Sequence, residues 1–115
     1  MTEAAIQQQV RLALARAGAV AFRNNIGAYT DPKTNRVIKY GVCNPGGSDL
    51  IGWTPVLVTP DMVGQTLAVF TAVEVKAPSG RPTEHQLNFI AQVLRAGGLA
   101  GIARSAEDAV AILRR

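Results

Sequence analysis

Cysteine and histidine are almost missing from this chain of 115 residues, which has one of each, Cys43 and His85. A single cysteine excludes an internal disulfide and any multi-cysteine zinc site, and it fits a reducing compartment. A single histidine leaves little material for a histidine metal site or a Ser-His-Asp arrangement, so catalysis here would run on carboxylates, lysine and backbone groups. No apolar run approaches the roughly 20 residues of a membrane-spanning helix. The N-terminus carries Glu3 and a run of glutamines in place of a basic segment followed by an apolar one, so no secretory signal is expected. Pro45-Gly46-Gly47 lacks the Gly-Lys-Ser/Thr ending of a Walker loop, and no nucleotide cofactor is expected. Repeats, linkers and low-complexity tracts are missing as well.

What is present describes a compact fold. The length suits one domain over residues 1–115, and a chain of this size buries roughly two-thirds of its unfolded surface. A hydrophobic content of 48% argues against disorder. Twelve Lys and Arg against eight Asp and Glu leave a net charge of +4, which favours a polyanionic partner, most often nucleic acid.

Periodicity gives the order of elements. Ile6, Val10, Ala13, Leu14 and Ala17 recur at helical spacing between an N-cap at Thr2 and a stop at Gly18. Residues 19–29 read as one strand, 30–36 as a turn around Asp31-Pro32, and 37–42 as a short strand that makes a hairpin with its predecessor. After the loop at Asn44–Gly47, residues 49–59 read as a strand interrupted near Thr54-Pro55. A turn at 60–65 precedes the strongest strand, 66–77. Thr83 and Gln86 form a capping-box pair for a helix to about Ala96, stopped by Gly97-Gly98. A strand over 99–104 and a helix begun by Ser105 and Asp108 complete the order α-β-β-β-β-α-β-α, an α/β fold with one mixed sheet and helices packed on it.

Two acids stand where strands are depleted in acids: Asp49 opens one apolar strand and Glu74 lies inside another. Strand alternation puts Glu74 and Lys76 on one face. A turn at 60–65 would pair the two strands antiparallel and set Asp49 across from or diagonal to Glu74 at roughly 5–8 Å between Cβ atoms. Carboxylates that close repel each other, and a hard divalent cation resolves the repulsion. Mg²⁺ takes one or two carboxylates, keeps waters and completes its shell with substrate phosphate. The Val75 backbone carbonyl offers another oxygen, and Lys76 would face a metal-bound water or the scissile phosphate. The plainer reading of Glu74 and Lys76 is an ion pair on a solvated sheet, and of Asp49 a turn residue at a loop end.

Gly47-Ser48-Asp49-Leu50-Ile51-Gly52, Val73-Glu74-Val75-Lys76 and Gly80-Arg81-Pro82-Thr83-Glu84-His85-Gln86 resemble the virus-type replication-repair nuclease (VRR-NUC) domain, a branch of the PD-(D/E)XK nuclease superfamily. The resemblance spans nearly the whole chain and is most specific over 49–100. It implies a restriction-endonuclease-like α-β-β-β-α-β core, with a mixed central sheet flanked by helices and an added C-terminal helix. It implies Asp49 and Glu74 as metal carboxylates with the Val75 carbonyl, Lys76 as the catalytic lysine, Gln86 at the active site, and Glu3 as a further acid near the metal. For Gln86 the alternative is its cap with Thr83; for Glu3 it is favourable charge in the first turn of a helix. Ser48 stands where many superfamily members have proline.

The expected activity is Mg²⁺-dependent hydrolysis of DNA phosphodiesters, with Mn²⁺ able to substitute. The expected substrate is branched DNA of the Holliday-junction kind, cut by a homodimer during repair, recombination or phage replication. The resemblance to stand-alone phage or prophage members places the protein in the cytoplasm of a bacterial host, with no membrane association. Alternatives are a nuclease for flaps or plain duplex, and a DNA-binding module without activity. Arg81, Lys39, Arg23 and Ser48 are candidate DNA contacts, as are Lys33 and Arg36, although each charge also suits an ordinary solvated position. Asn24 and Asn25 could hydrogen-bond phosphate. Cys43 is expected to be buried and inert, His85 exposed, and Trp53 part of the core or an interface.

Overall fold

The computed structural model describes residues 2–114. The chain divides into two compact units, Met1–Thr54 and Pro55–Arg115.

The first unit opens with helix α1 (Glu3–Arg16), whose N-cap Thr2 accepts a hydrogen bond from the Ala5 amide at 3.1 Å. Ala17 closes the helix and Gly18 follows at φ +94°, a left-handed turn that glycine adopts without strain. Strand β1 (Val20–Arg23) pairs antiparallel with β4 (Leu50–Trp53), in a register running from Val20 opposite Trp53 to Arg23 opposite Leu50. Phe22 and Trp53 pack as tilted rings with centroids 5.4 Å apart, so Trp53 serves packing. Strands β2 (Gly27–Thr30) and β3 (Val37–Tyr40) form the expected hairpin. Its turn is fixed by Asp31, whose carboxylate accepts from the Lys33 amide at 2.9 Å, and by Asn35 at φ +57°.

The second unit begins with an irregular stretch containing a short 3-10 turn (Pro60–Met62). Strand β5 (Thr71–Val75), helix α2 (Glu84–Arg95) and strand β6 (Leu99–Ala103) then form a β-α-β unit with β5 and β6 parallel. Helix α3 (Ala106–Ile112) packs on β6. The capping box of α2 is complete: the Gln86 amide donates to the Thr83 hydroxyl at 3.1 Å, and the Thr83 amide donates to Gln86 Oε1 at 2.9 Å. Ser105 caps α3 by accepting from the Asp108 amide. The fully buried apolar residues among those described are Val93 on α2 and Ala103 on β6.

The α/β class and the order of helices match expectation, but in place of the one mixed sheet expected, the strands among the described residues form three small two-stranded sheets, two antiparallel and one parallel. Three further details differ. The strand expected over 19–29 is two strands, β1 laddered to β4 and β2 to β3, with residues 24–26 passing between the two ladders. The strand expected over 49–59 ends at Trp53, before Thr54-Pro55, where proline supplies no amide hydrogen and biases the preceding residue. The antiparallel pairing expected between the strands around Asp49 and Glu74 is not among the three ladders: β4 is laddered to β1 and β5 to β6. Seventeen residues, 54–70, separate β4 from β5, far more than the two to five of an ordinary hairpin loop.

Candidate active site

In the first unit, Asp49 is exposed and sits immediately before β4, at the end of the 41–48 loop. The loop is tied down by two asparagines. Asn44 Nδ2 donates to the Gly27 and Tyr40 carbonyls, both at 2.8 Å. Asn24 Nδ2 donates to the Val42 carbonyl at 3.1 Å and the Ser48 carbonyl at 3.0 Å, while its Oδ1 accepts from the Val42 amide at 2.9 Å. Both amide hydrogens of Asn24 are thereby used, which removes it as a phosphate donor. Gly47 passes so close to the Val42 carbonyl that a Cβ there would collide with it. Cys43 is exposed, contrary to expectation, because it occupies this turn at φ +57° with its carbonyl accepting from the Gly47 amide. Glu3 is exposed in the first turn of α1, with Gln7 and Leu14 half-buried on the same helical face.

In the second unit, β5 alternates as the sequence pattern requires. Ala72 and Glu74 are half-buried, while Thr71, Val73 and Val75 are exposed. Lys76, one residue beyond the strand, lies on the Glu74 side: Nζ is 3.8 Å from Glu74 Oε2, and the two side chains are 20% and 32% exposed. That separation exceeds a hydrogen bond, so the pair is electrostatic and does not use up the ammonium donors. It is the one ion pair among the described residues. The parallel ladder ends with the Lys76 amide donating to the Ala103 carbonyl at 3.1 Å, and it begins with the Phe70 carbonyl accepting from Leu99 at 2.9 Å. Even-numbered residues of β5 therefore face β6, and alternation turns the Val75 carbonyl to the opposite edge.

Glu74 lines an open cavity of about 380 Å³ between β5 and α2. Gln86 and His85 supply its other polar side chains, with Ala72, Phe89 and Ile90 forming apolar wall. The Gln86 Oε1 caps the helix as expected, and the residue also lines the Glu74 cavity. His85 is exposed, as expected, yet it lines the same cavity, a placement that its position in the first turn of α2 did not reveal. Arg104, just past β6, was also without a sequence signal. Its Nη1 donates to the Ala77 and Gly80 carbonyls at 2.7 Å and to the Pro78 carbonyl at 3.3 Å, clamping the loop that leaves Lys76. The candidate DNA contacts Arg23, Ser48, Lys39 and Arg81 are all exposed, the first three on the first unit and Arg81 on the second.

The α/β fold, with an aspartate leading into one strand and Glu-x-Lys on another, agrees with the pattern expected from the resemblance to PD-(D/E)XK nucleases. The model of the VRR-NUC domain family matches residues 3–107, and the chain belongs to that family. Membership implies a nuclease of the PD-(D/E)XK type acting on DNA, a class that typically uses divalent metals. No curated protein and no solved structure matches the chain.

Proposed function

We propose that this protein is a Mg²⁺-dependent, structure-selective endonuclease that hydrolyses phosphodiesters in branched DNA, with residues 1–115 acting as one catalytic domain. The observation that carries the reading is the half-buried Glu74 and Lys76 pair, 3.8 Å apart on the cavity side of β5, inside a chain that matches the nuclease family across both units. The donor set fits a hard cation: two carboxylates, Asp49 and Glu74, and the Val75 carbonyl turned to the edge of β5 away from β6. Glu3 is a further acid for the same ion. When bound, Mg²⁺ (or Mn²⁺) supplies positive charge where the phosphate gains negative charge.

The protein's own groups do the rest. The Lys76 ammonium donates to a phosphate oxygen and stabilises the charge that builds there. The amide nitrogen of Gln86 remains to hold the phosphate or the attacking water, because its oxygen is committed to the cap. Water adds to phosphorus, the bond to the 3′ oxygen breaks, and that oxygen takes a proton, leaving a 5′-phosphate and a 3′-hydroxyl. Exposed Arg81, Lys39, Arg23 and Ser48 contact the DNA backbone, which positions a substrate without reading its sequence. A four-way junction has approximate two-fold symmetry and needs two matched nicks, so a C₂ homodimer suits it. The setting that agrees with this chemistry is repair, recombination or phage replication in the cytoplasm of a bacterial host.

The test incubates purified protein with labelled four-way junction, flap and linear duplex, with Mg²⁺ or EDTA, beside Lys76→Ala. Junction cleavage in Mg²⁺ is expected, with a loss of about 100-fold or more in the variant. Cleavage that survives EDTA or the Lys76 change overturns the mechanism. Equal cutting of flap or linear duplex overturns junction selectivity, and binding without cutting under any divalent metal identifies a DNA-binding module.

A further inference from the structure

We infer that Asn24 is the positioning residue for Asp49, setting the backbone from which that carboxylate projects. The inference rests on Asp49 being a metal ligand, as proposed above. The ladder between β1 and β4 continues one step past Arg23 opposite Leu50, so that Asn24 stands opposite Asp49 and its amide donates to the Asp49 carbonyl at 2.8 Å. Its side chain simultaneously donates to the Ser48 carbonyl at 3.0 Å. Those carbonyls belong to the two peptide planes on either side of the Asp49 Cα. Each peptide is rigid and planar, so holding the first plane restrains φ of Asp49 and holding the second restrains ψ. One residue therefore governs both soft torsions of Asp49, and with them the direction of its Cα–Cβ bond.

The rest of the Asn24 amide anchors it in turn. Oδ1 accepts from the Val42 amide and Nδ2 donates to the Val42 carbonyl, so the side chain pairs with Val42 as a neighbouring peptide would. Asn24 is half-buried, and its bonds reach 18 and 24 residues along the chain, joining both ends of the loop to β1. An exposed aspartate at a loop end would otherwise sample many orientations, and fixing it beforehand is what a preformed ligand requires.

Asn44 provides the control. It makes two bonds of 2.8 Å from the same loop but touches neither peptide beside Asp49. In metal-free, full-length protein, Asn24→Ala is expected to change the three-bond HN–Hα coupling of Asp49, while Asn44→Ala leaves it native. Mn²⁺ binding, followed by calorimetry, is expected to weaken about 10-fold or more in Asn24→Ala and less than about 2-fold in Asn44→Ala, even where both lower the melting temperature. Asn24→Ser keeps one short donor and acceptor in case loss of the amide unfolds the loop, and it should lie between native protein and Asn24→Ala. Native coupling and native affinity in the Asn24 variants overturn the inference. So does an Asn44→Ala effect as large as that of Asn24→Ala, which would make the effect general loosening of the loop. Asp49→Asn separates the two levels: undiminished Mn²⁺ binding there removes Asp49 as a ligand, while the coupling measurement still reports whether Asn24 sets its backbone.

Discussion

The two units hold their acidic residues by different physics. In the first, Asp49 ends a loop whose conformation rests on side-chain amides bonded to backbone, from Asn24 and Asn44, and its strands form antiparallel pairs. In the second, Glu74 rides on a parallel strand beside β6, with Val93 and Ala103 buried and α2 laid along it. A hydrogen-bonded loop is placed by a few directional contacts, each of which can be lost singly. A packed β-α-β unit spreads its restraint over many weak contacts. The comparison teaches that substitutions in the first unit should act locally and on geometry, whereas those in the second should act through packing and global stability.

The largest expected effect breaks the first unit. A Cβ at Gly52 would collide with the Val20 carbonyl across the ladder between β1 and β4, so Gly52→Ala should cost about 3 kcal/mol. Its counterpart in the second unit, Val93→Ala, opens a cavity beneath α2 and should cost about 2 kcal/mol. Trp53, Tyr29 and Tyr40 all lie in the first unit, so intrinsic fluorescence reports that unit, while circular dichroism sees the helices of both. If residues 1–115 fold as one domain, the two probes melt together in both variants. Fluorescence that shifts for Gly52→Ala but not for Val93→Ala would show two independent units.

Smaller effects sharpen the contrast. Arg104→Ala removes the clamp on the Ala77, Pro78 and Gly80 carbonyls and should cost about 1 kcal/mol, read by the dichroism melt. Arg104→Lys should not restore it, because an ammonium cannot reproduce the planar guanidinium at that turn. The smallest effect concerns Asp61, whose carboxyl is held below its ordinary range mainly by the Thr59 hydroxyl that donates to it. A folded value below the unfolded one contributes stability above about pH 4, and that contribution is lost as the pH falls through the folded value. Thr59→Val should therefore raise the Asp61 value in a carboxyl NMR titration and shrink the acid loss. Cleavage at neutral pH should be unchanged, since Asp61 has no place in the proposed chemistry.

Much of this was readable from local pattern. The caps at Thr2, Thr83 and Ser105 each involve residues within four positions of one another, and all three appear where the sequence puts them. Glu74 and Lys76 share a side of β5 because a strand repeats every two residues. Nothing local announced that Asn24 would tie the 41–48 loop to β1, since its partners Val42 and Ser48 are 18 and 24 positions away. Arg104 was invisible for the same reason: its acceptors are backbone carbonyls, which every sequence supplies. Cys43 looked like a buried thiol from composition, but the turn it occupies exposes it.

The residue string by itself determined the α/β class, the helix caps, the near lack of soft metal ligands and the Glu-x-Lys face, because each depends on composition or on spacings shorter than one helical turn. Tertiary structure alone decided that β5 pairs with β6, that Gln86 and His85 share a cavity with Glu74, and that Asn24 holds both peptides of Asp49. Those outcomes turn on which distant backbone groups meet. Backbone amides and carbonyls are the same at nearly every residue, so the choice of partner is settled by three-dimensional closure and leaves no mark in the one-dimensional pattern.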